Sequence, residues 1–406
     1  MTTPTADRRG ATVTVALGIT GCIGAYKAVD LIRRLQKAGL DVQVVATRHA
    51  LEFVTPLTLE TVSRHPVISD MFQRAGDWEV AHIALARRAD VLCVAPATAN
   101  ILAKFAHGIA DDFLSTLYLS IRQPVLVAPA MNHAMWDHPA TRANLAVLRE
   151  RGVIVVEPES GYLACGEEGA GRLADLAVIE EAVHGALAPK SLAGRTVLVT
   201  AGPTAEDIDP VRFITNRSTG KMGFAVARQA ARRGARVILV SGPSAEAAPF
   251  PCVRVAVRSA ADMAAAVADH APAADAVVMA AAVADYTPAA PQAAKIKKGD
   301  GPLALELRRT ADILAGLGAA RRPGRVLVGF AAETDAVVAN ARRKLAAKGL
   351  DLIVANAVGP DRGFGTDVST VTILDPAGGV EELADMTKDA IAARLCERIA
   401  ALLPSS

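Results

Sequence analysis

Short apolar runs alternate with stretches of helical periodicity from residue 12 to residue 185. Thr12–Leu17, Asp41–Ala46, Asp90–Val94, Pro124–Val127 and Val153–Val156 read as strands, and Gly24–Ala38 reads as the helix between the first two. These runs are nearly continuous rather than alternating, the pattern of parallel strands covered on both faces. Leu187-Ala188-Pro189-Lys190-Ser191-Leu192-Ala193-Gly194 breaks the rhythm with proline, glycine and small polar residues, which places a domain boundary near Pro189. The pattern then restarts with strands expected at Thr196–Val199, Arg236–Val240, Ala276–Ala280, Val326–Val328 and Asp351–Val354, and a helix over Thr219–Arg233. Ser369–Leu374 and Val380–Leu383 flank Asp375-Pro376-Ala377-Gly378-Gly379, as expected of a hairpin at a sheet edge. The expected fold is α/β, with two doubly wound, Rossmann-like parallel-sheet domains over residues 1–189 and 190–406.

Composition supports this division. A chain of 406 residues exceeds what one core normally serves, and 51% apolar with only 4% aromatic residues suits stacked helices on buried strands. A formal charge of +2 without a basic block gives no reason to expect nucleic acid or a membrane surface as partner. Five scattered cysteines without a CxxC pair argue against a disulfide framework or a zinc site. No stretch reaches 18 apolar residues without a charge or turn signal, so a cytoplasmic protein is expected.

Candidate chemistry gathers where strands end. Gly18-Ile19-Thr20-Gly21-Cys22-Ile23-Gly24 lies between a strand and a helix, where free amides and the helix dipole attract phosphate. The GxGxxG spacing is missing, and the second strand ends Ala46-Thr47-Arg48 without an acid for a ribose hydroxyl. A flavin mononucleotide phosphate therefore fits this turn better than a dinucleotide, although a turn without ligand has the same sequence signature. Two strands end in one tripeptide: Ala95-Pro96-Ala97 before Thr98 and Asn100, and Ala128-Pro129-Ala130 before Met131 and Asn132. Small residues there let a flat ring approach, and the hydroxyl and amides supply hydrogen bonds. His82 fits a packed histidine as well as a base. Cys165, in Ser160–Arg172 with four further glycines, fits a role-free loop thiol as well as a mobile donor.

The series Thr20-Gly21, Ala25-Tyr26-Lys27, His82-Ile83, Ala95-Pro96-Ala97-Thr98, Pro129-Ala130-Met131-Asn132 and Ala164-Cys165-Gly166 resembles the flavin-dependent phosphopantothenoylcysteine decarboxylases. In the second half, Thr200-Ala201-Gly202-Pro203-Thr204, Asp209-Pro210-Val211-Arg212, Asn216, Ser218–Gly223, Ala281–Tyr286, Lys295–Lys298 and Gly329–Thr334 resemble phosphopantothenate-cysteine ligases. Together they resemble the bacterial bifunctional enzymes of coenzyme A synthesis.

The resemblance implies a flavodoxin-like first domain in which Thr20, Gly21, Thr47, Ala95, Thr98 and Asn100 hold FMN. His82 acts as base, Asn132 holds the substrate carboxylate and Cys165 donates a proton. For the second domain it implies activation of 4'-phosphopantothenate by CTP with Mg2+ (or Mn2+), followed by attack of L-cysteine on the acyl-cytidylate. Lys295 and Asn216 are the implied catalytic residues. Asp285, Lys295, Ala311, Asp312, Ile313, Leu314, Phe330, Lys344 and Lys348 are the implied CTP contacts, and the metal ligands stay open. On spacing alone, Lys344 and Lys348 also fit a solvated basic helix face beside Arg342 and Arg343. Trimeric packing of decarboxylase domains and dimeric pairing of ligase domains are implied as well. The alternatives are a flavodoxin-like FMN-binding regulatory subunit without turnover and an NAD-dependent dehydrogenase. The dehydrogenase is opposed by the missing ribose-binding acid in both halves, since Val240 runs into Ser241-Gly242-Pro243.

Overall fold

The computed structural model describes residues 12–72, 80–162, 166–249, 252–298, 302–333, 335–357 and 367–404. The chain divides into two compact units, Met1–Ala188 and Pro189–Ser406, a division that falls inside the proline-containing segment.

In the first unit a five-stranded sheet runs, edge to edge, Asp41–Ala46, Thr14–Ile19, Val91–Ala97, Val125–Pro129 and Ile154–Val155. Every pairing is parallel. This is the flavodoxin-type order, in which the direction of winding reverses between the first and third strands in sequence. Alternate strand side chains feed two cores. Leu17, Val44 and Cys93 join one with Leu31, Leu35, Ile179 and Val183, whereas Ala16, Val45 and Val94 join another with Leu102, Phe105, Leu114 and Leu148. The expected Gly24–Ala38 helix begins with a 3-10 turn over Ile23–Lys27 and becomes α-helical at Ala28–Lys37. Cys22 caps that turn, its sulfur accepting from the Gly24 amide at 3.4 Å.

One expectation is corrected here. Most of the glycine-rich segment read as a loop is a paired hairpin, with Glu159–Tyr162 antiparallel to Glu168–Arg172. Leu163, Ala164 and Cys165 lie outside the described residues.

The second unit carries an eight-stranded sheet in the order Val253–Ala256, Arg236–Ser241, Thr196–Ala201, Ala276–Met279, Val326–Glu333, Leu352–Ala357, Val368–Leu374 and Val380–Thr387. The first six are parallel and give the Rossmann order, with its switch between Thr196–Ala201 and Ala276–Met279. The last two are antiparallel and form the expected edge hairpin. The helix Lys221–Arg232 buries Phe224, Val226, Ala227 and Ala230 against the sheet, beside Ile391, Leu395 and Ile399 of the helix Lys388–Leu402. Among the described residues, no helix is long and apolar enough to cross a membrane.

Candidate functional site

At the switch point of the first unit, strand ends are joined by a single hydroxyl. Thr20, 2% exposed, donates from Oγ1 to the Pro96 carbonyl at 2.7 Å and accepts from the Thr98 amide at 3.0 Å. The Ala130 amide donates to the Ala97 carbonyl at 3.1 Å, so the two Ala-Pro-Ala ends lie side by side. Thr98 caps the helix Ala99–His107, and Asn100 stands exposed in its first turn. Gly21 is required by space, since a Cβ there would meet the His49 Cβ at 2.4 Å. Thr47 donates from its backbone N–H to the Ile19 carbonyl at 3.0 Å.

Beside these ends, a cleft of about 360 Å³ is lined by Cys22, Ile23, Gly24, Tyr26, Lys27, Ala130, Met131, Asn132, Tyr162, Gly171, Arg172 and Leu173. Asn132 caps the short helix His133–Asp137 by accepting from the Ala134 amide at 2.8 Å, and its Nδ2 donates to Glu167 at 3.2 Å. The paired hairpin forms one wall because Gly171 allows it. Its carbonyl accepts from the Met131 amide at 2.9 Å, its φ is +139°, and an added Cβ would lie 2.2 Å from the Met131 carbonyl oxygen. Gly171→Ala is expected to cost about 1–3 kcal/mol through this overlap and to detach the wall. Faster hydrogen exchange at the Met131 amide would register the detachment; unchanged exchange would mean that the hairpin shifts without leaving.

His82 is placed differently. It lies on the helix Ala81–Arg88 and meets Phe113 edge-on at 6.4 Å between ring centroids. Its helix neighbours Leu85 and Ala86 pack with Phe105 and Leu114 in a core that Met131 of the cleft also joins, whereas Ala130 and Leu173 of the cleft belong to the core on the other side of the sheet, and His82 itself does not line the cleft.

In the second unit a cavity of about 490 Å³ collects Asp285, Ala311, Asp312, Ile313, Leu314, Phe330, Lys344 and Lys348. All of the CTP contacts named from sequence are therefore here except Lys295. A neighbouring cavity of about 430 Å³ contains Asn216, Lys221 and Lys388, and shares Ala281, Val283, Asp285, Phe330 and Lys344 with the first. Lys295 instead borders an exposed depression with Ile208, Gln292 and Ile296.

Both cavity lysines are held by carboxylates. Lys344 lies 2.6 Å from Glu333 Oε1 and Lys348 lies 2.8 Å from Asp312 Oδ2. Asp312 also caps the helix Ile313–Ala319 through the Ala315 amide. Burial works to raise the Asp312 carboxyl, but the Lys348 ammonium and the Ala315 and Leu314 amides outweigh it and hold the group below its ordinary value.

Sequence reasoning missed the hydroxyls that shape this crevice. Thr200 Oγ1 accepts from the Ala281 amide at 3.1 Å, Thr204 Oγ1 accepts from the Ala284 amide at 3.0 Å, and Thr310 Oγ1 donates to the Ala284 carbonyl at 2.6 Å. Asn216 Nδ2 adds contacts to the Ala282 and Val283 carbonyls at 3.3 and 3.1 Å. The available signal was threonine at both ends of Thr200–Thr204, immediately after an apolar strand. Among the described residues, no group of three or more His, Cys, Asp or Glu side chains is arranged to hold a metal ion.

Two doubly wound cores, each with a ligand-sized cleft at strand ends, define a two-domain α/β protein of the class that holds small ligands beyond its strand ends. The Flavoprotein family matches residues 4–188, and the family of DNA/pantothenate metabolism flavoprotein C-terminal domains matches residues 192–403. The coenzyme A biosynthesis bifunctional protein CoaBC of Bacillus subtilis (strain 168) is 47% identical over 96% of this chain and 97% of its own. That of Mycobacterium bovis is also 47% identical, over 96% of each chain. A crystal structure of the C-terminal domain of such a protein is 42% identical and covers 52% of this chain and 97% of its own, with a TM-score of 0.46. The chain belongs to the bifunctional coenzyme A biosynthesis family, which joins a phosphopantothenoylcysteine decarboxylase and a phosphopantothenate-cysteine ligase in one polypeptide.

Proposed function

We propose that the first unit decarboxylates 4'-phosphopantothenoylcysteine with FMN. The second unit makes that substrate from 4'-phosphopantothenate, L-cysteine and CTP with Mg2+ (or Mn2+). The observation that carries this reading is the convergence of Asp285, Ala311–Leu314, Phe330, Lys344 and Lys348, far apart in sequence, on one cavity.

The first cleft suits a flavin mononucleotide. Its volume of about 360 Å³ is that of a ligand pocket, Lys27 and Arg172 supply cations, and Tyr26 and Tyr162 supply flat apolar faces. None of the implied holders Thr20, Gly21, Thr47, Ala95, Thr98 and Asn100 lines this cleft; they sit at the neighbouring strand ends and loops, where a flavodoxin-type sheet takes FMN. When bound, FMN supplies the reversible oxidation of the substrate thiol that lets the neighbouring carboxylate leave. The protein's own groups do the rest. Asn132, its Oδ1 fixed by the Ala134 amide, presents Nδ2 to the substrate carboxylate. His82 takes the first proton as base, and Cys165, a thiol whose ordinary pKa is about 8.5, returns one at the end. His82 is not among the residues lining the cleft, which is compatible with a site shared between copies of the chain in trimeric decarboxylase domains.

In the second cavity, Lys344 and Lys348 would exchange their carboxylates for nucleotide phosphates, whose negative charge Mg2+ would help to neutralise. Phe330, Asp285 and Ala311–Leu314, which line the same cavity, would contact the cytidine. Asn216 borders the adjoining cavity, which suits the acyl-cytidylate. Lys295 stabilises charge on the attacked α-phosphate. Its exposed segment supports a site completed by dimeric pairing of ligase domains. Free Cys22, Cys93, Cys252 and Cys396 fit a reducing cytoplasm.

The test is a coupled assay with 4'-phosphopantothenate, L-cysteine, CTP and Mg2+, following pyrophosphate, carbon dioxide and the visible spectrum. A yellow protein releasing both products is the expected result. Pyrophosphate without carbon dioxide would overturn the role assigned to the first unit, and turnover that ignores CTP would overturn the nucleotide.

A further inference from the structure

We infer that Asp209 and Arg212 form a clamp that positions Lys295 for ligation. Ile296, the residue after Lys295, is gripped at both polar atoms. Its N–H donates to Asp209 Oδ2 at 3.1 Å, and its carbonyl accepts from Arg212 Nη2 at 2.6 Å. Asp209 is itself locked. Its side chain is wholly buried, its Oδ1 accepts from the Val211 and Arg212 amides, each at 2.8 Å, and its Oδ2 accepts from Arg212 Nε and Nη2 at 3.0 and 2.6 Å. A further tie, from the Gln292 amide to the Ile208 carbonyl at 2.9 Å, holds the same segment three residues before Lys295.

A tight turn at Asp209 needs only the two local amides, the ordinary aspartate turn. The guanidinium and the Ile296 amide are additional, and both lead to the segment that carries Lys295. Burial alone would raise the Asp209 carboxyl. The Arg212 guanidinium, with the Val211, Ile296 and Arg212 amides, outweighs it and holds the group well below the ordinary carboxylate range, so the clamp stays charged at neutral pH. Lys295 is thus flanked by backbone ties at Gln292 and Ile296 while the residue itself is exposed. Asp209 and Arg212 touch no reacting group in this scheme and are positioning residues.

The inference rests on the assignment of Lys295 to ligation, and the experiment separates the two. In the full chain, Asp209→Asn is expected to speed limited tryptic cleavage at Lys295, Lys297 and Lys298 by about tenfold, through local opening of this segment. Ligation kcat should fall about 10- to 100-fold, the effect of misplacing a catalytic group, with KM for CTP unchanged. In a Lys295→Gln background Asp209→Asn should add no further loss. Arg212→Lys retains a cation beside the carboxylate but lacks the fork that reaches the Ile296 carbonyl, and serves if Asp209→Asn fails to fold. Unchanged cleavage, or losses that add to those of Lys295→Gln, would overturn the clamp alone. Full ligation by Lys295→Gln itself would overturn the Lys295 assignment and, with it, the positioning role.

Discussion

Cys165→Ser is expected to leave a single-turnover burst of carbon dioxide and to slow its steady-state release by at least about 100-fold, while pyrophosphate release continues at its normal rate. Two physical reasons support so large and so selective a loss. A serine hydroxyl is a far weaker acid than a thiol whose ordinary pKa is about 8.5, so the last proton transfer is removed while side-chain size barely changes. In sequence, Cys165 falls between Glu159–Tyr162 and Glu168–Arg172, the paired strands docked through Gly171 on Met131, and all of these belong to the first unit. The lysines and hydroxyls that shape the nucleotide cavity all belong to the second. The two products can be followed together in one reaction. Parallel loss of both would contradict independent sites, and unimpaired steady-state carbon dioxide release would remove Cys165 from the chemistry.

Lys344→Met is expected to raise KM for CTP by about 10- to 100-fold and also to weaken the fold of the second unit. The first effect follows from the loss of a cation at the seam of two cavities, worth about 1.5–3 kcal/mol against a phosphate. The second follows from what remains. Glu333 is only 12% exposed, with Oε2 accepting from Asn340 at 3.2 Å, and without Lys344 its charge loses the ammonium at Oε1. Leaving a largely buried carboxylate unpaired costs about 1–3 kcal/mol. Adding Glu333→Gln should recover the stability and leave CTP binding impaired, which urea unfolding and nucleotide kinetics on the single and double variants can separate. Full recovery of nucleotide binding in the double variant would show that Lys344 acts only by neutralising Glu333.

The parallel strands were legible in the sequence because burial on both faces writes them as continuous apolar runs such as Thr196–Ala201 and Ala276–Met279. The order of strands was not written there, and with it went the switch points that place the clefts. Glu168–Arg172 was read as loop because Glu-Gly-Ala-Gly-Arg has no β-branched or aromatic residue. Its pairing depends on close backbone approach, which only the folded chain displays. The nine implied CTP contacts came from family resemblance alone, and the fold brings eight of them to one cavity. Thr200 and Thr204, though quoted within a ligase-like motif, and Thr310 were assigned no role, because a threonine at a strand end looks like ordinary strand composition. Lys295 was grouped with that cavity on resemblance, and its position in an exposed depression reflects long-range geometry that spacing does not encode.

The loop from Ala280 to Asp285 is secured at almost every residue. Thr200, Thr204, Thr310 and Asn216 bind its amides and carbonyls, and the Ala282 amide donates to the Gly202 carbonyl at 2.9 Å. Freezing a backbone residue costs about 1–2 kcal/mol of conformational entropy, and here that cost is met when the unit folds. A ligand arriving at this wall finds it already held, so its affinity reflects contacts made rather than freedom surrendered.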